Sequence, residues 1–143
     1  MKLIDANVLI AAASIDHAHH QTAARWLAEA RCKSEQLGLS SLVAMAFVRI
    51  TTHPRIHQTP LSTTQAVGWL QTFASSPMVR WVNPGDEHLS LLQTLLADSG
   101  LAGNVVNDAH LAALAREHGA TVVSFDPDFQ RFPGVRLELL GAG

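Results

Sequence analysis

Cysteine is almost absent from this sequence of 143 residues, in which Cys32 is the only one. A single thiol cannot form an internal disulfide or supply a cysteine-based metal cluster. Such sparing use of cysteine is typical of proteins from reducing compartments. We expect Cys32 itself to be a small, buried, apolar residue of the core.

Long hydrophobic runs are also lacking. No uninterrupted apolar stretch approaches the ~18 residues that a membrane helix needs. Asp5 interrupts the N-terminal segment before the apolar core of a signal peptide could form. We therefore expect a cytoplasmic protein with no membrane segment.

An excess of basic charge is lacking as well. Ten Lys and Arg residues stand against twelve Asp and Glu residues, which gives a formal net charge of -2 at pH 7. This balance excludes the global basic field of proteins that coat nucleic acid. Any contact with nucleic acid must be local. Arg49 and Arg55 are candidates for phosphate contacts. Each can equally be a solvated arginine or one that caps a helix.

Short apolar segments alternate with helical patterns along the chain. Strands are predicted at 2–4, 37–39, 79–82, 121–125 and 135–139. Helices are predicted at 6–13, at 18–33, from a Ser40 or Ser41 cap to about Thr52, from Ser62 to before Pro77, after an Asp86 cap, and from about Asp108 to His118. This alternation predicts a parallel sheet with helices on both faces. With no repeat and no linker, we expect residues 1–143 to form one domain.

Three aspartates lie where an apolar element meets a loop or a helix start. Asp5 follows the first strand, Asp108 lies in the first turn of a helix, and Asp126 follows the strand 121–125. The ends of parallel strands form the rim where ligands of α/β folds collect. Three carboxylates gathered at that rim would bind a hard divalent cation.

Each aspartate also has an ordinary structural explanation when taken alone. Asp5 can cap the helix that follows it, although a charge beside an apolar strand must be solvated, paired or metal-bound. Asp108 is favoured in a first turn by the helix dipole. Asp126 and Asp128 flank Pro127, and Asp-Pro-Asp is common turn chemistry.

Taken together and in order, the segments around these aspartates resemble the PIN-domain family, and within it the VapC-type toxin ribonucleases. The resemblance runs from Lys2 to about Leu137. The segments that carry it are Leu3-Ile4-Asp5-Ala6-Asn7-Val8-Leu9-Ile10, Phe47-Val48-Arg49-Ile50-Thr51-Thr52-His53-Pro54-Arg55, Asn107-Asp108-Ala109-His110-Leu111-Ala112-Ala113-Leu114-Ala115 and Ser124-Phe125-Asp126-Pro127-Asp128-Phe129. The resemblance implies a three-layer α/β/α sandwich with a central, mainly parallel sheet.

The resemblance also implies a site. Asp5, Asp108 and Asp126 are expected to bind Mg²⁺, with Mn²⁺ as a substitute, since these ions prefer oxygen ligands. Asp128 joins the expected catalytic set as a ligand, as an orienting group outside the ligands, or as part of the turn alone. The neutral side chains of Asn7 and Ser124 are expected to bond a metal-bound water or a substrate phosphate, and Arg49 is expected near the substrate.

The activity implied by the resemblance is that of a metal-dependent endoribonuclease, the toxin of a toxin–antitoxin pair. It would cut RNA phosphodiesters with a metal-activated water, leave a 5′-phosphate, form a homodimer and be blocked by an antitoxin that wraps around it. One feature departs from the family pattern. PIN nucleases usually supply another acid, most often Glu, from the segment matching 40–47, and this chain has none there. The alternative is a catalytically silent PIN-like module that binds RNA or protein.

Other sites fit the sequence less well. Phosphatases of the haloacid-dehalogenase type also have an aspartate after the first strand, but their pattern has a second aspartate two residues later. This chain has Asn7 at that position. A receiver domain needs a late lysine, but the only lysines are Lys2 and Lys33. His17 and His20 can share one helical face, yet no third ligand lies at a supporting spacing, so we interpret them as a solvated helix start.

Overall fold

Five short parallel strands form the centre of the fold. The computed structural model describes residues 1–56, 59–99 and 105–141. The strands are β1 (Lys2–Ile4), β2 (Leu37–Leu39), β3 (Val79–Trp81), β4 (Thr121–Ser124) and β5 (Arg136–Leu139). They pair in parallel in the order β3-β2-β1-β4-β5. The predicted parallel sheet is therefore confirmed.

Helices cover the sheet and complete the predicted three-layer α/β/α sandwich. In the described ranges they are α1 (Ala6–Ala13), α2 (His20–Cys32), α3 (Ser41–Thr51), α4 (Thr63–Ala74), α5 (His88–Ser99) and α6 (Val105–His118), and Pro127–Arg131 forms a short 3-10 helix. No helix in these ranges has both the length and the apolar character needed to cross a membrane.

The central position of β1 determines where a ligand can bind. Leu3 and Ile4 are fully buried, as expected for a parallel strand covered on both faces. The chain builds the sheet outward from β1 through β2 to β3, and then returns to place β4 on the other side of β1. The strand order therefore reverses between β1 and β4, and ligands of α/β folds bind at the carboxyl ends of the strands at such a point. Asp5 and Asp126 follow these two strands.

Hydrogen bonds at the helix starts explain two of the predicted boundaries. The Ser40 hydroxyl accepts a bond of 3.2 Å from the Val43 N–H at the start of α3. Ser62 and Gln65 form the predicted capping box before α4, with bonds of 2.9 and 3.1 Å. These caps satisfy backbone donors that the first helical turn leaves without partners.

Several details differ from the sequence predictions. Helix α6 begins at Val105 rather than at about Asp108, so Asp108 lies within its first turn. Helix α2 begins at His20 rather than at residue 18, because the backbone first turns through a His17 N–H to Ser14 carbonyl bond of 2.9 Å. Helix α5 begins at His88, after Asp86, the expected cap. Cys32 is exposed, not buried, because α2 packs through Ala23 and Ala30, and a residue two positions after Ala30 faces away from the core.

Candidate active site

Asp5 is fixed at the carboxyl end of β1 by hydrogen bonds to both of its oxygens. Its Oδ1 accepts a bond of 2.7 Å from the Ala6 N–H at the start of α1, and its Oδ2 accepts one of 2.7 Å from the Ser124 hydroxyl. Burial raises the pKa of Asp5, the two hydrogen bonds oppose that rise, and the charge of Asp126 adds to it. Asp5 thus serves as a helix cap, yet no basic side chain of the described residues forms an ion pair with its carboxylate.

Ser124 and Asn7 form a hydrogen-bond network with Asp5. The fully buried Ser124 hydroxyl donates to Asp5 and accepts bonds of 3.0 Å from both the Asn7 side-chain amide and the Asp126 N–H. The Asn7 Oδ1 accepts a bond of 3.2 Å from the Phe125 N–H. A hydroxyl has one proton and two lone pairs, so this network uses the full bonding capacity of Ser124. Ser124 therefore orients Asp5 and joins β1 to β4.

Asp108 faces this cluster from the first turn of α6. Burial is the main cause that raises its pKa to about 6, and the charges of Asp5, Asp126 and Asp128 contribute. Arg131 opposes the rise, with its Nη2 at 3.3 Å from the Asp108 Oδ2. One arginine thus does not balance the negative charge gathered here.

Asp126 and Asp128 lie in a turn after β4. The Asp126 Oδ1 accepts a bond of 2.9 Å from the Asp128 N–H and caps the 3-10 helix. Asp128 is exposed, and its charge is the smallest of the influences on the pKa of Asp108. The turn chemistry expected for this pair is present. Of these two aspartates, Asp126 is the one whose charge raises the pKa of Asp5.

The donors fit a hard divalent cation that keeps part of its water shell. Across the described ranges, no three His, Cys, Asp or Glu side chains converge closely enough to enclose a metal ion. Mg²⁺ does not need such an enclosure, because it is usually held by one or two carboxylates and several waters. The carboxylates of Asp5 and Asp108 are two oxygen donors whose pKa values are raised mainly by burial and further by neighbouring carboxylates, and a cation beside them would favour their charged forms.

A groove between α3 and α6 leads to these carboxylates. This acidic groove has a volume of about 370 Å³ and is lined by Asp5, Ala6, Leu42, Val43, Met45, Ala46, Arg49, Asn107, Asp108 and Leu111. Arg49 is exposed and can meet a phosphate there, whereas Arg55 is not among the lining residues. The segment 40–47, which has no acid, contributes Leu42, Val43, Met45 and Ala46 to the lining, while Ala44 is buried.

Sequence reasoning missed two groups beside the acidic groove. Arg131 pairs with Asp108 and lies over the Phe132 ring, 5.2 Å from its centroid. His88 contacts His110 on α6 through a bond of 2.9 Å between the His88 Nε2 and the His110 Nδ1. Burial lowers the pKa of His110, and the neighbouring His88 lowers it further. No spacing rule reveals these contacts, because each joins separate elements.

The first histidine-rich segment has local structural partners. The His20 Nδ1 lies 2.9 Å from the Ala11 carbonyl oxygen, and the His19 ring stacks on Phe125 with centroids 4.5 Å apart. These contacts agree with the interpretation of this segment as the start of a helix rather than a transition-metal site.

Comparison with known proteins agrees with the fold. A family model described as the PIN domain matches residues 2–135. Ribonuclease VapC37 of Mycobacterium tuberculosis is 40% identical over 138 residues, which cover 96% of each chain. Ribonuclease VapC31 of the same organism is 37% identical over 136 residues, covering 95% of this chain and 96% of that protein.

Solved structures share the fold at lower sequence identity. VapBC2 from Rickettsia felis, bound to a DNA fragment from its promoter, has a TM-score of 0.73 and 21% identity, covering 97% of this chain and 98% of that one. VapC20 from Mycobacterium tuberculosis, a toxin that cleaves the sarcin–ricin loop, has a TM-score of 0.66 and 22% identity, covering 95% and 99%. The chain therefore belongs to the PIN-domain family.

Proposed function

We propose that this protein is a metal-dependent endoribonuclease and the toxin of a toxin–antitoxin pair. The observation that carries the proposal is the meeting of Asp5 and Asp108 at the carboxyl end of β1, where their negative charge is only partly balanced. The relatives of similar length that carry the name ribonuclease support the same activity. Residues 1–143 form one nuclease domain in this proposal.

Asp5 and Asp108 hold Mg²⁺, or Mn²⁺ in its place, and Asp126 joins them when its carboxylate turns away from its cap. A divalent cation at this position supplies activation of water and neutralises charge on the phosphodiester. Ser124 and Asn7 keep Asp5 oriented through their hydrogen bonds. Arg49, at the rim of the acidic groove, binds an RNA phosphate. Cleavage leaves a 5′-phosphate.

The partner is an antitoxin that blocks the acidic groove. Arg131 already lies 3.3 Å from Asp108, so a guanidinium is compatible with this carboxylate. An arginine of the antitoxin can occupy the same surroundings from outside, because guanidinium and carboxylate form paired hydrogen bonds. Antitoxin binding then competes with Mg²⁺. In this proposal the toxin is a cytoplasmic homodimer.

Cleavage of cellular RNA by purified protein tests the proposal. Asp5→Asn and Asp108→Asn are expected to reduce the rate by roughly 10²–10³-fold or more, the loss seen when preorganised charge stabilisation is removed. EDTA should abolish cleavage, and Mg²⁺ or Mn²⁺ should restore it. The matched control is Asp86→Asn, which changes an exposed aspartate that does not line the acidic groove. Mapping of the cut sites identifies the target sequence.

A catalytically silent module is the second candidate, favoured by Ala46, a non-acidic residue in the part of α3 that lines the acidic groove. The silent module predicts tight binding of RNA or antitoxin by the wild type and no cleavage with either metal. Full cleavage by an Asp5→Asn protein, shown to be folded by circular dichroism, would instead exclude the proposed metal site. Only the assignment of the fold would then remain.

A further inference from the structure

A second groove continues from the acidic groove along α3 and α6. This apolar groove has a volume of about 420 Å³ and is lined by Ser40, Ser41, Leu42, Met45, Val82, Pro84, Leu92, Val106, Asn107 and His110. Leu42, Met45 and Asn107 line both grooves. An RNA strand that crosses the acidic groove therefore has a direct path into the apolar groove.

His110 is a polar group in the wall of this apolar groove, and it is joined to two further residues. The His110 Nδ1 lies 2.9 Å from the His88 Nε2, and the His88 Nδ1 lies 3.7 Å from the Glu117 Oε1. His88 is 5% exposed, and its Nδ1 has no hydrogen-bond partner among the residues that the structure describes. Both oxygens of Glu117 accept bonds from the Gly85 N–H, at 3.0 and 2.9 Å, which fixes the carboxylate.

The direction of the protons along this relay follows from electrostatics. The buried His88 Nδ1 faces a carboxylate and therefore carries the proton, because a lone pair there would face negative charge. The His88 Nε2 is then a hydrogen-bond acceptor, and the His110 Nδ1 must donate to it. The His110 Nε2 consequently keeps its lone pair.

We propose that the apolar groove holds the nucleotide next to the scissile phosphate and that the His110 Nε2 accepts a hydrogen bond from that nucleotide. The donor is the ribose 2′-hydroxyl or a base N–H, both of which RNA presents when its bases are unstacked. Leu42, Met45 and Val106 are partly exposed and pack against the nucleoside. His88 and Glu117 are positioning residues that set the proton of His110. This inference rests on the proposed nuclease function.

A cycle of enzyme and substrate variants tests the contact. The substrate is a synthetic oligoribonucleotide that spans a cut site mapped with the wild type. His110→Ala should lower kcat/KM by roughly 3- to 10-fold, the worth of one neutral hydrogen bond. Removal of the 2′-hydroxyl, or of a base amine, from the flanking nucleotide should cost the wild type the same factor and cost His110→Ala nothing more. The substitution that couples identifies the donor.

Two further variants separate the contact from a structural role. His110→Gln offers an amide oxygen near the place of Nε2 and should recover part of the lost kcat/KM. His118→Ala is the matched control, because His118 lies on the same helix and bonds the Asn83 carbonyl at 2.9 Å but does not line the apolar groove. The proposal would be overturned if the loss of kcat/KM caused by His110→Ala were independent of, and additive with, the loss caused by each substrate change. Unchanged cleavage with weakened antitoxin binding would also overturn it and would assign the groove to the protein partner.

The proton arrangement is tested without any RNA. Nitrogen-15 NMR of the imidazole rings should show His110 with its proton on Nδ1 in the wild type, and a mixture of tautomers in Glu117→Gln. A wild-type His110 with its proton on Nε2 would overturn the inference. Because this measurement needs no activity, it remains decisive if the wild type cleaves no RNA, a result that would refute the proposed function instead.

Discussion

The carboxylate of Glu138 and the carboxylates of Asp5 and Asp108 differ in how their negative charge is balanced. Glu138 on β5 accepts bonds of 2.7 Å from the Lys2 ammonium and 2.6 Å from the Trp26 indole. Burial alone would raise its pKa, but those two bonds and the charges of Lys2 and Lys33 outweigh burial, and the pKa is lowered. Asp5 and Asp108 are also partly buried, yet their pKa values are raised.

The difference distinguishes a structural carboxylate, Glu138, from the carboxylates that we propose as functional, Asp5 and Asp108. Glu138 has a donor for each oxygen and a cation beside it, so it ties β1, α2 and β5 together and needs nothing further. Asp108 has one arginine at 3.3 Å and several acids around it. Groups with strongly perturbed pKa values in a cleft are candidates for function, because the fold holds them at a cost in stability.

The largest expected effect that sharpens this contrast is stabilisation by metal. Mg²⁺ at 100 times its dissociation constant should stabilise the wild type by about 2.7 kcal/mol, because only the folded state gathers the ligands. Asp108→Asn should lose this stabilisation, and Glu138→Gln should keep it. Thermal unfolding with and without Mg²⁺ measures both. Equal stabilisation of all three proteins would show that the ion binds elsewhere.

A smaller effect concerns pH in the absence of metal. The pKa of Asp108 is about 6 in the folded protein, above its ordinary value of 3.8, so the folded state binds the proton more tightly than the unfolded state does. The stability from this group is present below pH 3.8 and is lost as pH rises through 6. The loss should be about 1–2 kcal/mol after solvent screening. Urea unfolding in EDTA at several pH values measures it.

The control for this pH effect is Asp108→Asn, which should flatten the dependence and stabilise the metal-free protein at neutral pH. Glu138 contributes with the opposite sign, because its lowered pKa gives stability that is present at neutral pH and lost in acid. A wild type and an Asp108→Asn variant with parallel pH curves would contradict the crowding of charge at the acidic groove.

The smallest expected effect is that of Glu138→Gln. It removes the ion pair with Lys2 but keeps one acceptor for Trp26, so the free energy of unfolding should fall by about 1 kcal/mol. RNA cleavage should be unchanged. Denaturant unfolding and the cleavage assay on the same preparation check both parts. A loss of cleavage without a loss of stability would place Glu138 in the functional group and erase the contrast.

Much of the fold was predictable because its signals are local. The bounds of β1, α1 and β2 agree with the prediction, since apolar runs, caps and turns act over a few residues. Asp5, Asp108 and Asp126 were predicted as a group because their segments, taken in order, resemble one family, and because Asp5 and Asp126 follow strands whose ends share one rim of the sheet. Their roles as metal ligands stay a prediction, and the structure adds which of their oxygens are already bonded.

The rest depended on contacts between distant parts of the chain. Arg131 and Asp108 meet across 23 residues, and His88 and His110 across 22. Neither pair has a spacing that sets it apart from other arginines and histidines. The predicted burial of Cys32 was wrong for a related reason. Residue type indicates average burial, whereas the face of α2 on which Cys32 lies decides its exposure.

The bond between Ser124 and Asp5 also has a consequence for synthesis of the protein. It joins residues 119 positions apart, so Asp5 gains its orienting partner only when nearly the whole chain exists. Folding that depends on such distant pairing is slow, because a long loop must close before the contact forms. A nascent chain ending before β4 carries Asp5 without Ser124, Asp126 or the second neighbour of β1. Asp5 is therefore held in its final orientation only when translation is almost finished.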